Sequence, residues 1–339
     1  MGQQGNRIEF GDCRETMRRW AAEGVKAQMC VTSPPYYGLR NYGHDGQIGL
    51  EQTPEQYIAA MVEVFSCVWD VLADDGVLWL NIGDSYAANG RSGPNTGWAD
   101  RAKEYAGGGH RAAQVPHPQC EKRVPDGMKP KDLIGIPWML AFALRADGWY
   151  LRQEIIWHKP NPMPESVRDR CTKAHEQIFL LAKQPRYYFD NEAIKTPVKR
   201  TRDRQDGKYH NEGTGLQPHS GLEKSYEMAN KRSVWTVATR PYKGAHFATF
   251  PAELIEPCIL AGSRAGDVVL DPFMGSGTTA GVALKHGRQY LGCELNPDYG
   301  SLQAERIASL AAPQVKELDS HQIEKPTAND LKINQHALF

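Results

Sequence analysis

The sequence has 339 residues, of which 40% are hydrophobic and 24% are charged, as expected for a soluble globular protein with one large domain or a core domain plus a smaller lobe. The 40 Lys and Arg residues balance the 40 Asp and Glu residues, which excludes a uniformly basic nucleic-acid coat. No apolar run approaches the roughly 20 residues that cross a bilayer, and the N-terminus lacks a secretory signal pattern.

The seven cysteines are scattered along the chain and form no Cys-x-x-Cys pair. This spacing argues against both a disulfide framework and a zinc site, and we expect no metal centre. Reduced thiols of this kind are typical of a cytoplasmic protein. Together with the missing apolar span, they predict a cytoplasmic location without membrane attachment.

The first part of the chain alternates short strands with helices. A strand at 7–10 leads through Gly11 and Asp12 into a helix at 15–23, and an apolar strand at 27–32 ends in Ser33-Pro34-Pro35-Tyr36. Two consecutive prolines end both strands and helices, so the chain must turn out of the sheet there. A helix at 54–73 then precedes a buried strand at 76–82.

The middle of the chain contains two irregular stretches. Residues 85–132 are rich in Gly, Pro, Asn and charge and predict a long loop, whereas a helix at 136–146 and strands at 150–157 and 177–182 follow. Residues 190–243 lose all periodicity. From Lys195 to Lys243 there are eleven Lys or Arg against five Asp or Glu, and from Arg91 to Asp132 the count is eight against five. The basic charge is therefore localised, which favours a nucleic-acid partner.

Regular structure returns in the last part of the chain. A helix at 251–260, a strand at 268–271, a glycine-containing loop with a helix to about 286, and a strand at 289–293 follow one another, before a polar tail beyond 313. Such alternation of strands and helices predicts an α/β fold with a doubly wound, mostly parallel sheet.

The glycine-containing loop, Asp271-Pro-Phe-Met-Gly-Ser-Gly-Thr-Thr279, is the first candidate site. Gly275 and Gly277 let the backbone turn tightly and approach a ligand, and Glu294 follows Gly275 by 19 residues at the end of the next strand. An acid at that place accepts hydrogen bonds from ribose hydroxyls in nucleotide-binding units. The absence of lysine from Asp271 to Leu284 excludes a P-loop, while a dinucleotide site with a displaced third glycine stays open.

The loop and the turn Thr32-Ser-Pro-Pro-Tyr36 together resemble the two defining motifs of amino-methylating DNA methyltransferases. The turn precedes the loop by about 240 residues with the basic region between them, an order that resembles the circularly permuted beta class of this family. The resemblance covers roughly residues 7–310. It includes Gly11-Asp12, the stretches 80–84 and 157–161, and His246-Phe247-Ala-Thr-Phe-Pro251.

The resemblance implies a Rossmann-like fold and S-adenosyl-L-methionine as the cofactor. It also implies that Ser33, Pro34, Pro35 and Tyr36 are catalytic. The Ser33 hydroxyl and the Pro34 carbonyl would accept the two hydrogens of the base amino group, which favours a more nucleophilic, pyramidal nitrogen. Tyr36 would stack on the base, which must be flipped out of the duplex to react.

For the cofactor, the resemblance places Glu294 at the ribose, Asp12 beside the adenine ring and Phe247 nearby. Helix capping by Asp12, a core position for Phe247 and a simple turn at Asn296 remain the alternatives. The full set of expected cofactor residues is Asp12, Phe247, Asp271, Pro272, Phe273, Gly275, Ser276, Gly277, Thr278, Glu294 and Asn296.

The resemblance and the local charge divide the chain into a catalytic half (1–189), a target-recognition region (190–243), a cofactor-binding half (244–312) and a polar tail (313–339). Double-stranded DNA is the expected partner, and a homodimer or a cognate restriction endonuclease would be compatible with it. A merely solvated basic loop is the alternative for the recognition region. Its expected DNA contacts are Arg200, Arg202, Arg204, Lys231, Arg232 and Arg240.

Serine at the first position of the turn is more typical of N4-cytosine enzymes, whereas Asp or Asn is more typical of N6-adenine enzymes. The serine therefore favours cytosine, but adenine stays open because all three side chains supply an acceptor. Carbon-5 methylation would need a Pro-Cys nucleophile, and Pro257-Cys258 lies in an apolar helical stretch; a zinc deaminase would need cysteine at Ala261. A catalytically inactive DNA-binding regulator, and methylation of RNA or of a protein amide, are the remaining alternatives.

Overall fold

The computed structural model describes residues 5–39, 44, 46–87, 124–125, 127–198, 227–239 and 250–312. These residues form an eight-stranded sheet with helices on both faces, so the predicted α/β fold with a doubly wound, mostly parallel sheet is confirmed. The helices are α1 (Cys13–Ala22), α2 (Pro54–Val71), α3 (Ile136–Ala146), α4 (Ala252–Gly262), α5 (Thr278–Lys285) and α6 (Gly300–Ala311). The strands are β1 (Arg7–Phe10), β2 (Ala27–Thr32), β3 (Leu72–Ile82), β4 (Tyr150–His158), β5 (His175–Ala182), β6 (Thr196–Pro197), β7 (Met228–Ala229), β8 (Val234–Thr236), β9 (Val268–Asp271) and β10 (Gln289–Glu294).

The main sheet has the strand order β1-β10-β9-β2-β3-β5-β4-β8, and β6 and β7 form a separate pair. Neighbouring strands in the main sheet are parallel except at β3–β5 and β5–β4, where the pairing is antiparallel. Because β5 runs against its neighbours, its first residues lie at the edge where the parallel strands end: Gln177 pairs with Ile82. This reversal brings the start of β5 to the candidate site.

The strands separate two hydrophobic cores. On β3, Leu78 and Leu80 lie in the core formed with α1, α2 and α3, whereas Val77 and Trp79 lie in the core formed with α4 and α5. Successive side chains of a strand point to opposite faces, so a strand covered on both faces must be apolar throughout. This explains the unbroken apolar runs in the sequence.

Strands β2 and β9 are neighbours at the point where the chain changes direction across the sheet. From β2 the chain crosses through α2 to β3, and from β9 it crosses through α5 to β10 on the other side. The two crossovers diverge and cover opposite faces. A crevice therefore opens beyond the carboxyl ends of β2 and β9, the place where doubly wound sheets bind ligands.

Two features differ from the sequence predictions. Val234–Thr236, which falls within the stretch assigned to target recognition, pairs with β4 and buries Trp235 in the sheet core, so this part belongs to the main sheet. Helix α6 was not predicted, since Gln303 is its one buried residue and the sequence shows no apolar stripe. None of the helices in the described ranges has the length and apolar character needed to cross a membrane.

Candidate active site

The loop between β9 and α5 has the backbone that its glycines predict. Gly275 and Gly277 have φ values of 53° and 85°, in the left-handed region that disfavours side chains. A Cβ on Gly277 would lie 3.0 Å from Ile307 Cγ1 of α6, whereas the nearest atom to a Cβ on Gly275 is 3.9 Å away. The loop therefore packs closely on α6 at Gly277 and leaves open space at Gly275.

Asp271, the last residue of β9, is almost fully buried, with 1% of its surface exposed. Its carboxylate accepts hydrogen bonds from Thr32 Oγ1 at 2.6 Å, from Thr279 Oγ1 at 2.6 Å and from the Phe273 backbone at 3.0 Å. Burial raises the pKa of Asp271 to about 6 despite these donors. The side chain thus holds the loop together from inside, and its place at the methionine end of the cofactor stays a prediction.

Glu294 ends β10 and lies partly exposed beside the loop. Its carboxylate oxygens accept hydrogen bonds from the Gly275 and Asn296 backbone N–H groups at 2.8 and 2.9 Å. Burial raises the pKa of Glu294 to about 7. A carboxylate has about four lone-pair sites, so Glu294 keeps acceptor capacity for ligand hydroxyls.

The other loop residues divide by exposure. Three of them, Pro272, Ser276 and Thr278, are buried, and the Ser276 and Thr278 hydroxyls lie 3.4 Å apart. A ligand would therefore contact the backbone of these residues rather than their side chains. Phe273 is half-buried against the core of α1, α2 and α3. Asn296 caps the turn that follows β10 by accepting a hydrogen bond from the Asp298 backbone at 2.9 Å.

Asp12 is the N-cap of α1 and accepts a hydrogen bond from the Arg14 backbone at 2.8 Å. The Arg14 guanidinium also binds both carboxylate oxygens, and these bonds lower the pKa of Asp12. The Gly11 N–H donates to the Glu294 carbonyl at 2.8 Å, which places Asp12 at the same edge of the sheet as Glu294. The capping interpretation is therefore confirmed, and a contact with adenine would use the acceptor sites that Arg14 leaves.

The Ser33–Tyr36 turn follows β2 and stands beside the cofactor loop. Pro34 is buried, and the Pro35 carbonyl accepts a hydrogen bond from the buried Tyr57 hydroxyl of α2 at 2.9 Å. Ser33 Oγ donates to Tyr36 Oη at 3.3 Å. The side chains of Ser33 and Tyr36 are largely buried but keep a partly exposed surface that can face a bound base.

Three polar residues that were not among the expected site residues surround the turn, although Asn81 and Lys159 lie in the stretches 80–84 and 157–161 of the resemblance. Asn81 Nδ2 donates to Tyr36 Oη at 2.9 Å and to Glu176 Oε2 at 3.0 Å, and Tyr36 Oη donates to Glu176 Oε2 at 2.7 Å. Lys159 forms an ion pair with the other oxygen of Glu176, and its Nζ lies 4.4 Å from the Trp157 ring centroid. Asn81, a polar residue that interrupts the apolar strand β3 near its carboxyl end, was the available signal, whereas Glu176 stands between the polar residues His175 and Gln177 and gives none.

Two of the six expected DNA contacts, Lys231 and Arg232, lie among the described residues. Outside the described residues lie the other four expected DNA contacts, Arg200, Arg202, Arg204 and Arg240, and the expected cofactor residue Phe247. Lys231 is half-buried with Nζ 5.0 Å from the Trp235 ring centroid, and Arg232 is exposed. Lys231 thus uses part of its side chain for packing on β8, while Arg232 is accessible to a partner.

Cys258 bears on the carbon-5 alternative. It is 1% exposed inside α4, its thiol lies 3.8 Å from the Leu254 carbonyl, and burial raises its pKa well above the ordinary value. A nucleophilic cysteine needs access and thiolate character. Cys258 has neither, so it is no candidate nucleophile.

Comparison with known proteins places this geometry in a family. A family model described as a DNA methylase matches residues 27–305. The Type II methyltransferases M.Cfr9I of Citrobacter freundii and M.SmaI of Serratia marcescens are each 46% identical to the chain. The matches cover 88% and 89% of the chain and 86% and 90% of the relatives, respectively.

Solved structures share the fold. The PvuII DNA methyltransferase, described as cytosine-N4-specific, superposes with a TM-score of 0.56 at 16% identity, covering 91% of each chain. A DNA modification methylase from Thermus thermophilus, solved with S-adenosyl-L-methionine, gives a TM-score of 0.53 at 24% identity, covering 90% of this chain and 94% of the other. At these identities the likeness concerns the architecture alone.

Proposed function

Since the chain belongs to the N6/N4 DNA methylase family and is a Type II DNA methyltransferase, we propose that it methylates N4 of a flipped-out cytosine at a specific DNA sequence. The methyl donor is S-adenosylmethionine, which supplies an electrophilic methyl group on a sulfonium. The observation that carries the proposal is the junction of the two motifs, where Thr32 binds Asp271 at 2.6 Å.

The β9–α5 loop fits the cofactor. Gly275 leaves open space where a Cβ would stand, so a ligand can approach its backbone. Glu294, fixed by the Gly275 N–H, offers its remaining lone pairs to ribose hydroxyls. Phe273 and Gly277 are the other loop residues proposed to contact the cofactor. Asp12 and Asn296 lie at the same edge of the sheet.

The turn after β2 fits the target base. Ser33 Oγ and the Pro34 carbonyl would accept the amino hydrogens, and the paired prolines keep these acceptors in place before reaction, as electrostatic preorganisation requires. Tyr36 keeps its hydroxyl in the polar cluster with Glu176, which leaves the ring face for stacking on the base. Such stacking offsets part of the few kcal/mol that flipping costs.

Cytosine is proposed over adenine because Ser33 occupies the first position of the turn. N6 of adenine is the alternative target, reached by the same mechanism. The region 190–243 is proposed to recognise the DNA sequence, with Arg232 as its most exposed described basic residue among the six expected contacts. A cognate restriction endonuclease is the proposed partner in the same modification system.

The test of this function is transfer of a labelled methyl group from S-adenosylmethionine to duplex DNA. Tyr36→Ala and Pro34→Ala should lose most of the transfer while cofactor affinity stays within about threefold, because the turn acts on the base rather than on the cofactor. If the wild type binds cofactor and DNA but transfers no label, the chain is a DNA-binding regulator. Wild-type turnover in both variants would remove the turn from the chemistry.

A further inference from the structure

The polar cluster behind the catalytic turn extends further than binding an amino group requires. Its members are Ser33, Tyr36, Asn81, Glu176 and Lys159. We propose that this cluster removes the proton that the methylated amino group must lose, with Glu176 as the final acceptor acting through Tyr36 and Ser33. The proposal rests on the proposed function and adds to it a route for the proton.

The hydrogen bonds run in one direction. Ser33 Oγ donates to Tyr36 Oη at 3.3 Å, and Tyr36 Oη donates to Glu176 Oε2 at 2.7 Å. Each hydroxyl can therefore accept a proton on one side while it gives its own to the next group. The first link is long, but hydrogen bonds of this kind tighten when the substrate is bound.

Methyl transfer makes such a route necessary. As the N–C bond to the methyl group forms and the S–C bond breaks, the sulfonium becomes a neutral thioether and the amino nitrogen acquires the positive charge. A proton from that nitrogen passes to Ser33 Oγ, the Ser33 proton passes to Tyr36 Oη, and the Tyr36 proton passes to Glu176. Serine and tyrosine end neutral, and the Glu176 carboxylate becomes a carboxylic acid.

The fold supplies this carboxylate through the reversed strand β5. Asn81 pairs with Ile178, two residues beyond Glu176, so Asn81 and Glu176 project from the same face of the sheet toward the turn. The Glu176 side chain is 13% exposed and is held by Lys159 and by Asn81 Nδ2. Since an amide N–H is a donor only, Glu176 is the acceptor at this end of the chain of bonds.

Tyr36 is suited to pass a proton on without storing charge. Its burial and the neighbouring Glu176 charge raise the pKa of Tyr36 well above its usual value, so the hydroxyl stays protonated at rest. The charged or titratable side chains around Glu176 are Tyr36 on the turn, Lys159 after β4 and Lys173 before β5. Both lysines place a positive charge beside the carboxylate.

The experiment compares single-turnover rates of methyl transfer for the wild type, Glu176→Gln, Tyr36→Phe and the double variant. Glutamine keeps the size of Glu176 but accepts no proton, and phenylalanine keeps the stacking ring of Tyr36 but breaks the relay. Each single variant should be slower by about 100-fold or more. The double variant should be no slower than the slower single variant, because both changes remove one route.

Three further readouts separate a relay from a structural role. Affinities for S-adenosylmethionine and for cognate DNA, and the melting temperature, should stay close to wild type in Tyr36→Phe. Glu256→Gln is the matched control, because Glu256 is also ion-paired with a lysine but lies on α4.

A Glu176→Gln rate within about threefold of wild type would overturn the relay while leaving the proposed function intact. Multiplicative losses in the double variant would also overturn it, because they would mean independent roles. If Glu176→Gln does not fold, Tyr36→Phe alone tests the relay. A wild-type transfer rate in Tyr36→Phe would overturn it, because the proton would then not pass through the Tyr36 hydroxyl. A wild type that transfers no methyl group would contradict the proposed function instead.

Discussion

Thr32 Oγ1 donates a 2.6 Å hydrogen bond to Asp271 Oδ1 across 239 residues of sequence. Thr32 is the residue before the proposed catalytic turn, and Asp271 is the first residue of the proposed cofactor loop. The bond therefore connects the two motifs where each leaves the sheet, at the buried ends of the neighbouring strands β2 and β9. If the two motifs bind cofactor and base as proposed, this bond fixes the position of one relative to the other.

Removal of this bond should disturb both stability and transfer. Thr32→Val keeps the side-chain shape but removes the hydroxyl, so it should lower the free energy of unfolding by about 1–3 kcal/mol and slow methyl transfer more than it weakens cofactor binding. Thr32→Ser retains the hydroxyl and should stay near wild type. Denaturant unfolding and single-turnover kinetics measure the two effects. Equal transfer rates in Thr32→Val and wild type would show that the bond does not set the geometry.

The open space at Gly275 predicts loss of cofactor binding when it is filled. Gly275→Val and Gly287→Val both force a side chain onto a backbone with positive φ, at 53° and 70°. A Cβ added at Gly287 has no atom of the described residues within 4 Å, and the nearest atom to a Cβ added at Gly275 is the Phe273 carbonyl oxygen at 3.9 Å. Both should lose similar stability from backbone strain. Only Gly275→Val should abolish S-adenosylmethionine binding by calorimetry, because Gly287 lies after α5. Unchanged affinity in Gly275→Val would place the cofactor elsewhere.

Cofactor affinity should depend on pH through Glu294. The pKa of its carboxyl is raised to about 7, so below that pH the Glu294 side chain of the free protein is protonated. This proton must be released before the carboxylate can accept hydrogen bonds from the ribose hydroxyls. Affinity should fall by up to about tenfold per pH unit below that pKa and level off above it. Calorimetry in buffers of different ionisation enthalpy measures the released proton.

Glu294→Gln is the control for this dependence, because glutamine does not titrate. Its affinity should be weaker than that of the wild type at about pH 8, and the difference between the two proteins should shrink toward about pH 6. The comparison cancels titration of the cofactor itself. Parallel pH dependences in the two proteins would contradict the assignment of Glu294 to the ribose.

Local sequence signals located the elements that carry the two motifs. The ends of β2 and β9 agree with their predicted ends because an apolar run meets a proline pair in one case and a glycine loop in the other. The Asp12 cap was also available as an alternative, since aspartate before a helix is a common N-cap. These features depend on neighbours in sequence.

Features that depend on distant pairing were missed. Glu176 reaches the site because β5 runs antiparallel, and nothing in residues 175–182 alone reveals that direction. Val234–Thr236 is too short to show a period, and its place in the sheet comes from pairing with β4. The hydrogen bonds that Thr32 and Thr279 donate to the Asp271 carboxylate are also indicated by no local pattern.

The basic region should govern DNA affinity and its salt dependence. Each phosphate contact that is lost should reduce the slope of log K against log salt by about one, and loss of a guanine contact should cost about 1–3 kcal/mol on the cognate site. Glutamine replacements should be made at Arg200, Arg202, Arg204, Lys231, Arg232 and Arg240.

The matched control neutralises Arg186 and Arg264, which are exposed at the opposite edge of the sheet because they follow β5 and precede β9. That pair should leave the slope unchanged. If the six replacements also leave cognate binding and the slope unchanged, the recognition element lies elsewhere, and the basic stretch from Arg91 to Lys131 would be the next region to change.

The chemical identity of the product tests the central claim most directly. DNA methylated by the purified protein with S-adenosylmethionine is digested to nucleosides, and the modified nucleoside is identified by mass and chromatographic retention. We predict N4-methylcytosine in wild-type reactions and none with Gly275→Val. N6-methyladenine would reverse the choice of base but keep methyl transfer to an amino group. Either 5-methylcytosine, or no modified nucleoside from a protein that binds both cofactor and DNA, would contradict methyl transfer to an amino group.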